Sequence, residues 1–214
     1  MIEEDFLRIF FDDFPSVTYK KGSCILCADE DPEGMYYLQS GFVRQFAKKS
    51  DGSILYLHIY RPGSCFPLMW LFNETENRYE YEAMTEVVIR KAPAAKVKAF
   101  IEKHPEIMEH FMSKILLGLD GILARMESLV LDSAYKKTVL LFWYFGKTFG
   151  VKEGNTIRID VPMSHREIAQ WIGTARETAS VVTEQLKHKG IVGYRGKHYT
   201  ILDVATLDKE ASSL

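Results

Sequence analysis

Between Ile54 and Tyr60 the chain alternates, with Leu55, Leu57 and Ile59 on one face and Tyr56, His58 and Tyr60 on the other. A period of two predicts a strand. Asp51-Gly52 just before it predicts a tight hairpin turn, and Gly22, Gly34, Gly41, Gly52 and Gly63 recur every seven to twelve residues. Lys20 to Ile89 is therefore expected to fold as short strands in a sandwich or barrel. The period then changes. Pro93 to about His104 reads as a short helix, and Pro105 suits the first turn of a long one, where a missing N–H costs nothing. From Glu106 to Leu131, Met108, Phe111, Ile115, Leu119, Ile122, Met126 and Leu129 recur at spacings of three and four, and Leu116, Leu117 and Leu123 form a second apolar face. Such a helix is about 40 Å long at 1.5 Å per residue. Its two faces predict packing on its own barrel and on a partner helix, with Phe111, Ile115, Leu119, Ile122, Met126 and Leu129 at the seam. Asp132 reads as the cap of a further helix, from Ser133 to about Phe149, closed by Gly150.

Pro162 to Val182 carries the densest local signals. Ser164 with Glu167, and Thr174 with Glu177, both fit the S/T-x-x-E capping box, so two helix starts are expected ten residues apart. Gly173 supplies the left-handed residue that ends the first helix. Ile168, Ala169 and Ile172 form its inner side; Ala175, Ala179, Val182 and Leu186 form that of the second. A short helix, a glycine turn and a second amphipathic helix make a helix-turn-helix, whose second helix enters the DNA major groove.

The outward residues of that second helix suit base reading. Arg176 can pair in bidentate fashion with guanine, Glu177 can accept from a cytosine amino group, and Ser180 offers a hydroxyl one turn on. Ser164, His165 and Thr174, at the two helix starts, join this DNA-facing set. Tyr194 to Thr200 has the pattern of a hairpin wing, with Arg195 and Lys197 available for phosphates.

Composition fits this division. The 214 residues are 47% hydrophobic and 26% charged, with a mean hydropathy of −0.12, as in a globular protein. The net charge of −2 is uneven: residues 1–132 hold 15 Lys and Arg against 21 Asp and Glu, and residues 133–214 hold 12 against 8. A basic segment joined to an acidic one suits a nucleic-acid-binding module beside a non-binding one. No run of about 18 apolar residues exists, and Glu3, Glu4 and Asp5 stand where a signal peptide needs basic residues. Three cysteines cannot close a disulfide framework, and a cytoplasmic location with no membrane partner is expected.

These features resemble the Crp/Fnr superfamily of bacterial transcription regulators over nearly the whole chain. Gly34-x-x-Tyr37-x-x-x-Gly41, Asp51-Gly52 and Arg61-Pro62-Gly63-Ser64-Cys65-Phe66 are similar to its glycine-punctuated β-roll, and Ala175-Arg176-Glu177-Thr178 to the start of its recognition helix. The resemblance implies an α+β fold with a jelly-roll-type β-roll sensor (1–104), a long dimerisation helix (105–132) and a winged helix-turn-helix (133–214). It also implies a homodimer on an inverted repeat of double-stranded DNA, with RNA polymerase and a small-molecule effector as further partners. Many members carry an arginine directly after the position of Ser180. Here Val181 stands there, so one guanine contact is expected to be missing.

The effector site departs further. Cyclic-AMP-binding relatives use a Gly-Glu pair, an Arg-Ser pair and a Thr-Ser pair, where this chain has Pro67-Leu68, Arg78-Tyr79 and Gly121-Ile122. Leucine cannot replace a carboxylate that fixes a ribose hydroxyl, so cyclic AMP is not expected. Arg78 reads instead as a surface arginine paired with Glu80 or Glu82. Phe66, Leu68, Met69, Trp70, Arg78 and Tyr79 are the effector-pocket candidates, and the apolar ones read first as plain core. No cofactor and no metal is expected. Cys24, Cys27 and Cys65 offer three thiolates where an iron–sulfur cluster takes four ligands, and Cys24 and Cys27 are expected on opposite faces of a strand as small buried residues. Haem would need an axial ligand, and His58 is the one barrel histidine.

The competing readings are a cyclic-nucleotide- or redox-responsive sensor module and a cupin-type barrel enzyme. The enzyme would need a cluster of metal-binding histidines, and with His58 alone no catalytic set is expected.

Overall fold

The computed structural model describes the backbone of residues 3–195 and 198–212, and the side chains of 6–194 and 198–212. Two compact units divide the chain, 1–119 and 120–214. The first contains α1 (Glu3–Asp12), β1 (Ser16–Tyr19), β2 (Cys24–Leu26), β3 (Gly34–Ser40), β4 (Val43–Lys48), β5 (Ile54–Tyr60), β6 (Cys65–Phe66), α2 (Leu68–Asn73), β7 (Glu80–Ala83), β8 (Val87–Pro93), α3 (Ala94–Lys103) and the start of α4 (Pro105–Leu131). The second contains the rest of α4, then α5 (Ala134–Phe149), β9 (Gly150–Glu153), β10 (Thr156–Ile159), α6 (His165–Ile172), α7 (Arg176–His188), β11 (Val192–Arg195), β12 (His198–Ile201) and α8 (Val204–Ser212).

The strands of the first unit form two antiparallel sheets, ordered β1-β8-β3-β6 and β2-β7-β4-β5. This is the expected α+β fold with a β-roll. Tyr36 and Leu38 of β3 join the core shared with the second sheet, whereas Met35 and Tyr37 join a cluster made with α1, α2, α3 and α4. Both faces of β3 are thus buried, which is why no apolar–polar alternation marks it. Gly41 follows β3 with φ 82°, and a Cβ there would meet the Glu86 carbonyl oxygen at 2.3 Å, so only glycine fits this turn.

Several expectations change in detail. The alternation over β5 is broken because Gln45 pairs with His58 but Phe46 pairs with Tyr56, leaving Leu57 as a bulge. Tyr56 and Ile59 are buried, while Leu55 and Leu57 are only half-buried. The hydrophobic pattern does not predict α1, although Leu7 and Phe11 pack it into the helical cluster and Phe10 stacks on Phe100 at 4.2 Å. Ser133, not Asp132, caps α5, its Oγ accepting from the Lys136 N–H at 3.2 Å.

Cys24 and Cys27 need a larger correction. Cys24 is exposed, Cys27 is half-buried, and the two are joined in a disulfide. The register slips between Cys24 and Leu26, and β2 ends at Leu26, so the pair does not obey strand alternation. Cys65 is buried in the helical cluster, where desolvation pushes its thiol up to about 12. Among the described residues, no helix is long and apolar enough to cross a membrane.

Candidate nucleic-acid interface

The site is built around α6 and α7. Ser164 Oγ accepts from the Glu167 N–H at 3.2 Å, and a Glu167 carboxylate oxygen accepts from the Ser164 N–H at 2.8 Å, which completes the first capping box. Helix α6 runs two turns and stops at Gly173, whose φ of 63° is the expected left-handed stop. Ile168, Ala169, Trp171 and Ile172 are buried on its inner side.

The second capping box does not form. The N-cap of α7 is Ala175, which makes no side-chain cap and is exposed rather than inward-facing. The Thr174 N–H instead donates to the Ala169 carbonyl at 3.1 Å, a bond that closes the end of α6. With Thr174 held in that closure, the start of α7 moves one residue along. Beyond it Ala179, Val182 and Leu186 are buried, as the helical spacing predicts, and so is Thr183, whose Oγ1 donates to the Ala179 carbonyl.

The opposite face of α7 is open. Arg176, Glu177 and Thr178 are exposed, Ser180 is half-buried, and Val181 is 58% exposed. Thr174 is half-buried beside them, as is His165; Ser164 is exposed. Burial holds His165 below the usual imidazole range; Lys187 and Arg176 act in the same direction and Glu184 against it. Strands β11 and β12 form the expected hairpin, Arg195 opposite His198. Lys197 and the side chain of Arg195 lie outside the described residues.

Packing fixes the frame behind this face. The Trp171 ring meets Phe145 of α5 edge-on at 5.4 Å, and the Arg125 guanidinium lies 4.8 Å from the Trp171 ring centre. Lys189, at the end of α7, donates to Tyr135 Oη at 2.7 Å and to Glu210 at 3.1 Å, tying α7 to α5 and α8. Sequence reasoning singles out neither Arg125 nor Trp171. Their signal is the Trp inside an amphipathic helix, which reads as core without saying what covers it.

The other candidate sets divide. On α4, Ile115, Leu119, Ile122 and Met126 are exposed, as are Leu116, Leu117 and Leu123. Phe111 is not: it is 4% exposed in the helical cluster of the first unit, 6.4 Å from Phe72. Leu129 is half-buried, its carbonyl accepting from Lys137 Nζ at 2.8 Å. The six effector candidates do not converge. Phe66 is fully buried between the sheets, stacked at 5.5 Å on Tyr36 and 5.1 Å on Tyr81, and Tyr79 packs against the same cluster. Leu68 and Trp70 pack on the helical cluster, while Met69 and Arg78 are exposed. Glu82, expected as a partner of Arg78, pairs with Arg44.

Comparison with known proteins gives two domain matches. Residues 16–104 match the cyclic nucleotide-binding domain, and residues 138–210 match the Crp-like helix-turn-helix domain. The chain is 25% identical over 205 residues to the global nitrogen regulator of Nostoc sp., covering 92% of this chain and 90% of that protein. It is 23% identical over 195 residues to the CRP-like cAMP-activated global transcriptional regulator of Mycobacterium tuberculosis, covering 91% and 87%. Among solved structures, a CRP/FNR-family transcriptional regulator from Thermus thermophilus superposes with a TM-score of 0.76 at 25% identity, covering 93% of this chain and 99% of that one.

Proposed function

The chain belongs to the Crp/Fnr superfamily of DNA-binding transcription regulators, and we propose that it works as a homodimer reading an inverted-repeat operator. In this reading residues 1–104 form the sensor, 105–132 the dimerising helix and 133–214 the reading domain. The observation that carries it is the open face of α7, presented behind a capped α6 and a left-handed Gly173. Arg176 and Glu177 at the N-terminus of α7 would meet base edges, with Ser180 one turn on. Ser164, His165 and Thr174 would approach the phosphate backbone, as would Arg195 and Lys197 from the wing.

Val181 gives this reader its own specificity. An exposed valine on a base-reading face can contact a thymine methyl but cannot replace the bidentate guanine contact of an arginine. The operator is therefore expected to favour thymine where relatives with arginine favour guanine.

Dimerisation is supported by the exposed apolar stripe Ile115, Leu119, Ile122 and Met126. Two copies joined along this stripe would read half-sites about one helical turn, roughly 34 Å, apart. Bound at a promoter, such a dimer acts on RNA polymerase by contact or by occlusion. Its sensor is not a cyclic AMP site in this reading: Leu68 lacks the carboxylate, Arg78 is exposed, and aromatic side chains fill the space around Phe66. An effector, where one acts, must bind the DNA-competent arrangement more tightly than the other, since equal affinity shifts nothing.

Selection of bound duplexes from a random pool, beside native mass spectrometry of the purified chain, tests this reading. An inverted repeat enriched by a dimer is expected. Enrichment of no sequence, or of a lone half-site by a monomer, would overturn it.

A further inference from the structure

The Cys24–Cys27 pair lies in the first unit, apart from the DNA-reading residues, and no step of the proposed function uses it. Its surroundings tie it to a neighbouring cleft. The Cys27 carbonyl accepts from Asn77 Nδ2 at 2.7 Å, and the Cys27 N–H donates to a Glu30 carboxylate oxygen at 2.9 Å. Asn77 is 7% exposed, and its own carbonyl accepts from the Asp29 N–H at 2.7 Å. The segment from Cys27 to Asp31 is thus held to Asn77 at two points, the Cys27 carbonyl and the Asp29 N–H. Asp29, Glu30 and Asp31 then line one side of a cleft of 390 Å³, with Trp70, Glu74 and Asn77 among its other walls.

Two features make this pair a reactive disulfide rather than a staple. The bond closes a ring with only two intervening residues, so it removes little entropy from an unfolded chain whose two-sheet core already fixes β2. Cys24 is also exposed, and exposed disulfides exchange readily with small thiols. The Cα atoms lie 6.0 Å apart, inside the usual disulfide range, so bond formation needs no large backbone movement. Glu80 Oε2, 3.4 Å from Cys24 Sγ, is an acceptor ready for the Cys24 thiol in the reduced state.

We propose that Cys24 and Cys27 form a reversible dithiol–disulfide site, closed by low-molecular-weight disulfides, that sets the order of residues 27–31 and with it the acidic cleft. One cysteine thiolate attacks a sulfur of the small disulfide RSSR, giving a mixed disulfide on the protein and releasing RS⁻. The second cysteine thiolate attacks the protein sulfur of that mixed disulfide, forming the Cys24–Cys27 bond and releasing the second RS⁻. Two protein thiols are oxidised, one RSSR is reduced to two thiols, and the two cysteine protons end on the released thiolates or in solvent. The burial that pushes up the Cys65 thiol keeps that residue out of the exchange. The same three groups, Cys24, Cys27 and Glu80, bring their ligand atoms within 4.8 Å of one another, so a divalent metal is the rival occupant.

The full chain, equilibrated in glutathione buffers from reduced to oxidised, quenched in acid, unfolded and alkylated, tests the site by intact mass. Three alkyl groups are expected on the reduced chain and one on the oxidised chain, mapping to Cys65. Cys65→Ser should still lose two thiols, while Cys24→Ser and Cys27→Ser should each retain one bound glutathione on the remaining partner cysteine. Three alkylatable thiols at every ratio, or a disulfide joining two chains, would overturn the assignment. Stoichiometric zinc on the purified chain, with all three thiols recovered after chelation, would reassign the trio to a metal. Amide exchange at Asp29 is expected to slow on oxidation; equal rates in both states would remove the coupling to the cleft.

Discussion

The Arg125 guanidinium covers the face of Trp171 at 4.8 Å and donates Nη2–H to the Trp171 backbone carbonyl at 2.8 Å. One side chain thus joins the last turns of α4 to the C-terminal end of α6, the first helix of the helix-turn-helix. Burial lowers the Arg125 pKa to about 10, so the group is still a cation at neutral pH.

Arg125→Ala removes a cation–π contact and a charge-assisted hydrogen bond, together about 2 kcal/mol. For a chain of this size, the expected fall in Tm is about 4–8 °C. Arg125→Lys keeps the charge but loses the planar group, and should recover less than half of the loss. Thermal denaturation of the three proteins checks this, and an unchanged Tm for Arg125→Ala would deny the pair its structural role.

Base reading separates from phosphate binding by which sequences suffer. Arg176→Ala should weaken the selected operator by about 1–3 kcal/mol and relax preference at one base pair. Lys197→Ala should weaken operator and random DNA alike and reduce the salt dependence of binding. Val181→Arg should move the preference at its base pair toward guanine. Titrations on operator and single-base variants distinguish these outcomes; equal losses on all sequences for Arg176→Ala would remove its assigned role.

The two ends of α6 offer two stability tests. Ser164→Ala removes the capping oxygen that receives the Glu167 N–H, at a cost of about 1 kcal/mol. At Gly173 a Cβ would meet only Leu129 Cδ2, at 3.6 Å, an ordinary contact. The cost of Gly173→Ala is therefore that of a left-handed alanine, about 1–2 kcal/mol, and Gly173→Asn should cost less. Denaturant midpoints of the three variants provide the comparison.

The first box at Ser164, the stop at Gly173 and the buried stripe of α7 are legible in the sequence because each depends on residues within one or two turns. Thr174 misleads for a related reason. Its hydroxyl fits a capping box, but its N–H is needed to close α6, so the end of one helix and the start of the next compete for one residue. Phe111 shows the limit of periodicity: a spacing of three and four identifies a helix face, not the body that covers it. Its cluster draws on α2 and β3, far away in sequence. The bulges at Leu57 and within β2 are equally illegible, because a slip of one residue is set by the partner strand. The Cys24–Cys27 disulfide sits beside one of those slips.

The division of α4 makes Phe111 and Ile122 respond differently. Phe111→Ala empties a buried site and should destabilise the first unit by about 3–5 kcal/mol. Ile122 is 62% exposed, so Ile122→Glu should leave monomer folding intact while shifting the proposed dimer toward monomer. Far-ultraviolet circular dichroism with native mass spectrometry reads both. A dimer unaffected by Ile122→Glu together with Met126→Glu would move the interface off this stripe.

His165 makes the reading domain pH-sensitive in two opposing ways. Its imidazole is held below the ordinary value first by burial, then by Lys187 and Arg176 against Glu184. Glu184 is itself held low by its hydrogen bond to Lys187 and stays ionised through the window. The unfolded chain takes up this proton near pH 6.5 and the folded chain only below that. The unfolded state then binds more protons, so His165 lowers stability as pH falls from about 6.5 through the folded value. His165→Gln should flatten that part of the profile. DNA reverses the sign: a phosphate beside His165 stabilises the imidazolium, so operator affinity should rise as pH falls below about 6.5, with proton uptake on binding. Binding calorimetry in buffers of different ionisation enthalpy measures the uptake directly, and His165→Gln should abolish it. Equal uptake by both proteins would take His165 out of the phosphate-facing set.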